Sequence, residues 1–137
     1  MTGGIVATAV RLLVVDDNAD NCALLEILLT ADGFVVETAA DGESALACIE
    51  RRAPDVVLLD LMMPDMDGWE VTRRIKANPM TRALPVIIVS GLNDARTRSR
   101  SLSNGAAGFV GKPIDRAQLC MLIWDVLRQP RVTDGAA

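Results

Sequence analysis

Short apolar runs alternate along the chain with longer segments in which apolar residues recur every three or four positions. This alternation is typical of strands and helices wound into a parallel sheet that is covered on both faces. Five runs, mostly rich in Val, Leu and Ile, predict strands near 11–15, 34–37, 55–59, 85–89 and 108–110. The pattern therefore predicts an α/β fold: a doubly wound, five-stranded parallel sheet flanked by five helices, for which we expect the order 2-1-3-4-5 that is usual in flavodoxin-like proteins.

The amphipathic segments predict where those helices begin and end. They run from a cap at Asn18 or Asp20 to Gly33, from Asp41 to about Arg52, from Gly68 to Asn78, from about Asp94 to Asn104, and from Asp115 to just before Pro130. The fourth helix is the weakest prediction, because its serines lower helix propensity and its arginines alternate instead of lining one face. We expect it to be mobile or partner-facing, with Leu102 as an apolar anchor.

Length and charge narrow the class of protein. The 137 residues suit one domain, which we expect to span 11–129, with an N-terminal extension at 1–10 and a C-terminal tail at 130–137. A net charge of -4 offers no broad attraction to nucleic acid or to an anionic membrane. No Lys or Arg precedes Arg11, so a secretory signal is not expected, and no apolar stretch is long enough to span a bilayer. We expect a cytoplasmic protein.

Cysteine and histidine usage excludes several chemistries. Cys22, Cys48 and Cys120 are odd in number and widely spaced in helical segments, so neither a disulfide framework nor a zinc motif is predicted, and we interpret them as small apolar side chains. Histidine is absent. The absence excludes Ser-His-Asp and Cys-His catalysis, histidine-ligated metals and a phosphohistidine on this chain.

Polar residues stand at the ends of four predicted strands. Asp16 and Asp17 follow the first, Asp60 the third and Ser90 the fourth, and Lys112 lies just past the fifth. In the order 2-1-3-4-5 these strands are neighbours, so we expect the side chains to meet at one crevice. Like charges about 4 Å apart repel by roughly 4 kcal/mol at an effective dielectric of about 20, so three acids together indicate a divalent cation. Mg²⁺ suits the site because it prefers oxygen ligands and joins carboxylates to phosphate oxygens.

From Arg11 to about Gln129 the chain resembles the receiver domain of two-component response regulators, in particular the single-domain, chemotaxis-regulator-like members. The resemblance is carried by the acidic pair Asp16-Asp17, by Asp60 with Met63-Pro64 and Asp67-Gly68 behind it, by Ser90-Gly91, and by Gly108-Phe109 before Lys112-Pro113. It implies a phosphorylation-controlled signalling switch that assists its own modification, without being an enzyme that turns over a separate substrate.

The resemblance also implies roles for individual residues. Asp60 would accept a phosphoryl group from the phosphohistidine of a sensor histidine kinase or a histidine phosphotransfer protein. Asp17, Asp60 and the main-chain carbonyl of Met62 would bind Mg²⁺ or Mn²⁺ directly, with Asp16 acting through water. Lys112 and Ser90 would contact phosphoryl oxygens, and the Lys112–Pro113 bond would be cis.

A switch between two states is implied as well. Ser90 would move toward the phosphoryl group and Phe109 would rotate into the vacated space, which changes the binding face formed by strand 4, helix 4, strand 5 and helix 5. The output would be binding of an unknown downstream protein, as a monomer or as a phosphorylation-dependent dimer, without nucleic acid or membrane. We further hypothesise slow loss of phosphate, because Met62 and Leu92 flank the site and have no polar side-chain atom to orient water.

Three alternatives remain. A hydrolase that forms an aspartyl phosphate is disfavoured, because dehalogenase-like families use Asp-x-Asp whereas Leu61 and Met62 follow Asp60. A flavin-binding module is disfavoured because the loop after the first strand is acidic and would repel phosphate unless a metal ion were bound. A receiver-like scaffold that binds a partner without being phosphorylated is the third, although every expected site residue is present.

Overall fold

A computed structural model describes residues 9–129 of the protein. The predicted tail at 130–137 and all but the last two residues of the predicted extension lie outside the described residues. The strands are β1 (Arg11–Val15), β2 (Val35–Ala39), β3 (Val56–Asp60), β4 (Val86–Ser90) and β5 (Gly108–Gly111). The helices are α1 (Ala19–Ala31), α2 (Gly42–Arg51), α3 (Gly68–Ala77), α4 (Ala95–Ser103) and α5 (Arg116–Arg128). None of these helices combines the length and the apolar character needed to cross a membrane.

The sheet is parallel and its strand order is β2-β1-β3-β4-β5, which confirms the predicted fold. β3 and β4 each end one residue later than predicted, so Asp60 and Ser90 are the last residues of their strands. β2 begins at Val35 because Phe34 still belongs to the turn that follows α1. The Phe34 N–H donates to the Leu29 carbonyl at 3.1 Å, across Gly33 with a φ of 96°.

Each of the five helices within residues 9–129 begins at a residue whose side chain accepts a backbone N–H from the first turn. These capping residues are Asn18, Asp41, Asp67, Asp94 and Asp115. Each satisfies one of the N–H groups that the first turn of a helix leaves without a partner. Four of the five lie at starts predicted from the sequence, and the fifth, Asp67, immediately precedes the predicted start at Gly68. For α1 the structure selects Asn18 over Asp20.

The apolar side chains form one core on each face of the sheet. The first core joins the sheet to α2 and α3 and contains Leu13, Val15, Ala45, Ile49, Val57, Leu59, Val71, Ile75, Ile88 and Phe109, among others. The second joins it to α1 and α5 and contains Leu12, Val14, Leu25, Leu29, Leu58, Ile87, Leu119, Ile123 and Val126, among others. Because successive strand residues point to opposite faces, the central strands are buried throughout.

Hydrogen bonds between polar side chains link the end of α1 to α5 beside the second core. Asp32 accepts hydrogen bonds from the Arg116 guanidinium, with Nε at 3.0 Å, and from the Cys120 thiol at 3.0 Å. The Arg116 hydrogen bond, followed by that of Cys120, lowers the pKa of Asp32 to about 2. Burial and the bond to Asp32 raise the pKa of Cys120 to about 11, so this thiol is protonated and unreactive at neutral pH. All three cysteines are free.

Residues with hydroxyl groups anchor helix α4. The prediction that Leu102 anchors this helix is wrong, because Leu102 is 52% exposed. The buried residues of α4 are Thr97 and Ser101. The Ser101 hydroxyl donates to the Thr97 carbonyl at 2.9 Å and accepts the Trp69 indole N–H at 3.1 Å. Trp69 therefore packs against α4, and its ring also lies 3.7 Å from the Arg100 guanidinium carbon.

Candidate functional site

Three acidic side chains meet at the carboxyl edge of the sheet. Asp60 ends β3, and Asp16 and Asp17 follow β1, its neighbour in the sheet. One carboxylate oxygen from each residue lies within 4.8 Å of the others. Asp16 and Asp60 are 4% and 7% exposed, whereas Asp17 is open to solvent. The strand ends thus bring together the three acids that the sequence pattern picked out.

Lys112 reaches the same cluster from the loop after β5. Its Nζ lies 3.3 Å from Asp16 Oδ2 and 3.5 Å from Asp60 Oδ1. Its backbone N–H donates to the Ser90 carbonyl at 2.8 Å, which continues the pairing of β4 with β5. The Lys112–Pro113 peptide bond is cis, as the resemblance implied. A single ammonium is therefore shared between two nearly buried carboxylates.

The charges in the cluster do not balance. Three carboxylates and one ammonium leave a net charge of −2 when all are ionised. Burial, and then the neighbouring Asp16 carboxylate, raise the pKa of Asp60 above its ordinary value of 3.8. Lys112 and a hydrogen bond from the Met62 backbone act in the opposite direction without cancelling the rise. The site consequently favours a bound proton or a cation.

The donor set fits a small, hard divalent cation. Two oxygens bound to Mg²⁺ at about 2.1 Å can be at most about 4.2 Å apart, so acids already within 4.8 Å of one another need only small movements. Oxygen is the ligand that Mg²⁺ prefers, and the exposed position of Asp17 leaves room for the waters that it retains. The cluster can therefore hold a metal ion.

The loop after β3 is held close to the strand by a glycine. The Gly68 N–H donates to the Leu61 carbonyl at 2.9 Å, and a Cβ at this position would lie 2.6 Å from the Asp60 carbonyl oxygen. Such a contact is with backbone and cannot be relieved by a side-chain rotation, so only glycine fits. Met62 lies in this loop beside Asp60, with its side chain 60% exposed.

The two residues of the implied switch are buried in adjacent strands. Ser90 is fully buried, and its hydroxyl accepts the Leu92 backbone N–H at 3.0 Å. Phe109 is buried in β5, in the core shared with α2 and α3, and the Arg98 guanidinium carbon lies 4.9 Å from its ring centroid. Leu92 is 47% exposed. Sequence reasoning did not find the contact of Arg98 with Phe109, because it depends on how α4 is docked.

Sequence reasoning also missed two asparagines that hold Asp16. The Asn18 backbone N–H donates to Asp16 Oδ1 at 2.9 Å, and the Asn21 side-chain amide donates to Asp16 Oδ2 at 3.2 Å. The signal that could have found them is their spacing. A helix cap at Asn18 places the residue three positions later at the capped N–H, next to the acid pair that precedes the helix.

Comparison with known proteins identifies the family. The model of the response regulator receiver domain matches residues 12–123. The chain belongs to this family. This receiver domain is 44% identical over 124 residues to the response regulator PleD of Caulobacter vibrioides, a match that covers 90% of this chain but 27% of PleD. The chain therefore spans about a quarter of the length of this relative.

Solved receiver structures have the same fold. A putative response regulator from Chloroflexus aurantiacus is 29% identical with a TM-score of 0.85, and the match covers 89% of this chain and 100% of that one. The chemotaxis protein CheY4 of Vibrio cholerae is 27% identical with a TM-score of 0.82, covering 87% and 99%. Receiver domains are phosphorylated by histidine kinases and bind Mg²⁺ at an acidic pocket, so phosphorylation-controlled signalling is the class of function that fits this one.

Proposed function

We propose that this receiver domain, comprising residues 11–129, is a cytoplasmic switch in which Asp60 accepts a phosphoryl group from a partner's phosphohistidine. The observation that carries the proposal is the position of the Lys112 ammonium, 3.3 Å from Asp16 and 3.5 Å from Asp60, within a cluster of three acids. An acceptor carboxylate, a cation for the transferring group and ligands for a divalent ion are together the groups that phosphoryl transfer requires.

Asp17, Asp60 and the Met62 carbonyl are the proposed direct ligands of Mg²⁺ or Mn²⁺, with Asp16 acting through water. When bound, the ion supplies positive charge that keeps Asp60 ionised beside Asp16 and neutralises an incoming phosphoryl oxygen. The shared Lys112 supports this assignment, since one ammonium cannot balance three carboxylates.

In the transfer step, an oxygen of the Asp60 carboxylate forms a bond to phosphorus as the phosphorus–nitrogen bond of the phosphohistidine breaks. The electron pair of the broken bond returns to the imidazole ring of the partner. Lys112 turns from the carboxylates to a phosphoryl oxygen, and the Ser90 hydroxyl donates a hydrogen bond to another. Positioning and charge compensation provide the catalysis, so the chain needs no general base.

The proposed output begins at Ser90 and ends at α4. The Ser90 hydroxyl now accepts the Leu92 N–H at 3.0 Å, and a phosphoryl oxygen would draw it away. Phe109 then rotates, and because Arg98 lies 4.9 Å from its ring, the rotation changes the position of α4 in the face formed by β4, α4, β5 and α5. A bias of a few kcal/mol between two such states is enough to move most molecules from one to the other.

A sensor histidine kinase or a histidine phosphotransfer protein is the proposed donor. It must reach Asp60 across the rim formed by α1 and the loop after β5. That rim carries a shallow apolar cleft lined by Leu24, Leu28, Pro113 and Ile114 next to Asp16 and Lys112. Leu24 is 56% exposed there, so an apolar helix that carries the phosphohistidine would bury it. The proposed downstream partner is a protein that binds the face formed by β4, α4, β5 and α5. Such a protein would distinguish the phosphorylated form of the receiver domain from the unphosphorylated form.

The proposal is tested with small phosphodonors. Acetyl phosphate and phosphoramidate, which has a phosphorus–nitrogen bond, are each incubated with the protein and Mg²⁺, and the intact mass is followed. We expect a gain of one phosphoryl group that chelation by EDTA prevents. Asp60→Asn should abolish the gain, and Asp65→Asn, an exposed acid in the same loop, should retain it. An equal gain in the Asp60 variant would assign the modification to another residue.

A further inference from the structure

The amino end of α1 holds both carboxylate oxygens of Asp16. Oδ1 accepts the Asn18 backbone N–H at 2.9 Å, and Oδ2 accepts the Asn21 side-chain amide at 3.2 Å. The Asn18 side chain in turn accepts the Asn21 backbone N–H at 3.0 Å, as the cap of the helix. These three hydrogen bonds close a ring, so the start of α1 and the orientation of Asp16 depend on the same two asparagines.

Asn21 shares its acceptor with the site lysine. Lys112 Nζ lies 3.3 Å from the Asp16 Oδ2 atom that Asn21 contacts. Under the proposed function Lys112 turns toward a phosphoryl oxygen and gives up this contact. The Asn21 amide is then the side chain that still holds Oδ2, and because Asp16 is only 4% exposed, bulk water has little access to replace it.

We propose that Asn21 is a positioning residue: it acts through Asp16 and orients that carboxylate toward the divalent cation of the acidic cluster. This inference rests on the proposed function. A primary amide suits the task because it donates a hydrogen bond without adding a charge. A lysine here would bring a second ammonium to the cation, and an aspartate would bring a fourth carboxylate to a cluster that is already short of positive charge.

The test measures cation binding instead of phosphorylation. Free Mn²⁺ is followed by electron paramagnetic resonance, with Mg²⁺ as competitor, for the wild-type protein and for Asn21→Ala. Loss of a residue that hydrogen-bonds to a metal ligand weakens metal binding by about 10-fold or more. We therefore expect the Mn²⁺ dissociation constant of Asn21→Ala to be about 10-fold higher than that of the wild-type protein. Thr30→Ala, an exposed change on the same helix, should leave the constant unchanged.

A double-mutant cycle separates positioning from helix stability. In an Asp16→Asn background, Asn21→Ala should cause no further loss of cation affinity, because the carboxylate that it orients is gone. Cation-free thermal unfolding checks that each variant is folded, and Asn21→Ser, whose hydroxyl is too short to reach Asp16, repeats the measurement if the alanine variant does not fold.

Each outcome separates the two proposals. A wild-type protein that binds neither Mn²⁺ nor Mg²⁺ would contradict the proposed function and this inference with it. Wild-type binding with an unchanged dissociation constant in Asn21→Ala would overturn the inference alone. An equal weakening in the Asp16→Asn background would overturn it too, because the effect of Asn21 would then reach the cation by a route other than Asp16.

Discussion

At the scale of single residues, the surroundings of Asp60 disfavour ionisation of its carboxyl group. Burial and the Asp16 carboxylate raise its pKa above 3.8, so in the folded protein the protonated form is favoured more than in the unfolded chain. The stability that this proton contributes is present below the ordinary pKa and is lost as the pH rises through the raised pKa. The ionised form of Asp60 therefore destabilises the folded, metal-free protein at neutral pH.

Asp60→Asn should accordingly stabilise the protein in EDTA, because asparagine cannot ionise. The gain in the free energy of unfolding should be small below the ordinary pKa of 3.8, should grow as the pH rises through the raised pKa of Asp60, and should level off above it. Urea unfolding at a series of pH values measures it. A gain for Asp60→Asn that did not change with pH would mean that its ionisation carries no penalty.

The lifetime of the phosphorylated form is set, on our hypothesis, by two apolar side chains. Met62 and Leu92 are 60% and 47% exposed, and neither side chain has a polar atom that can orient an attacking water. Met62→Asn and Leu92→Glu should each speed loss of phosphate by about 10-fold or more, the scale of a positioned polar group. Decay is followed by intact mass after removal of the donor. Met80→Asn, 88% exposed and outside the site, is the control, and decay rates equal to it would reject the hypothesis.

Some site residues could be predicted from the sequence and others could not. Asp16, Asp60, Ser90 and Lys112 follow apolar runs, and parallel strands carry such residues to one edge whatever the details of packing. Asn21 differs, because its contact with Asp16 requires that α1 be capped at Asn18. Asn18 and Asp20 are both good caps, so propensity alone cannot choose between them.

At the scale of elements, α4 shows how tertiary contacts override local preference. Its serines and alternating arginines predict a weak helix, yet Ser101 is fully buried with both of its hydrogen bonds satisfied. The arginine at position 98 contacts Phe109 and the one at position 100 contacts Trp69, so the alternation places them on opposite flanks of the helix. No apolar periodicity signals an anchor of this kind.

The Trp69 indole N–H should be a measurable part of that anchor. Trp69→Phe keeps a ring for Arg100 but removes the hydrogen bond to Ser101, so we expect the free energy of unfolding to fall by about 1 kcal/mol. Urea unfolding measures the change. Trp124→Phe is the matched control, since that half-exposed ring packs on Phe34 at a centroid distance of 5.4 Å and phenylalanine preserves an aromatic contact. Equal losses in the two variants would mean that the hydrogen bond adds nothing.

At the scale of the whole molecule, the parallel order β2-β1-β3-β4-β5 determines where charge accumulates. It places the ends of β1 and β3 side by side at the centre of one edge, with β4 and β5 next to them. The alternation of strands and helices predicts a parallel, doubly wound sheet, and the strand order is predicted from the order usual in flavodoxin-like folds. The bounds of β2 could not be predicted, because it is a partly exposed edge strand, and its start depends on how the Gly33 turn ends α1.

This concentration of negative charge predicts how the fold responds to Mg²⁺. A cation that binds the folded protein alone stabilises it by about 2.7 kcal/mol at 100 times its dissociation constant, so MgCl₂ should raise the free energy of unfolding by that amount. NaCl at equal ionic strength should do less, because screening weakens the repulsion without supplying a ligand. The Mg²⁺ effect should fall sharply in Asp17→Asn and persist in Asp65→Asn, whose exposed carboxylate is outside the cluster. Equal stabilisation by the two salts would mean that screening alone reduces the repulsion among the three carboxylates and that the cluster binds no specific ion.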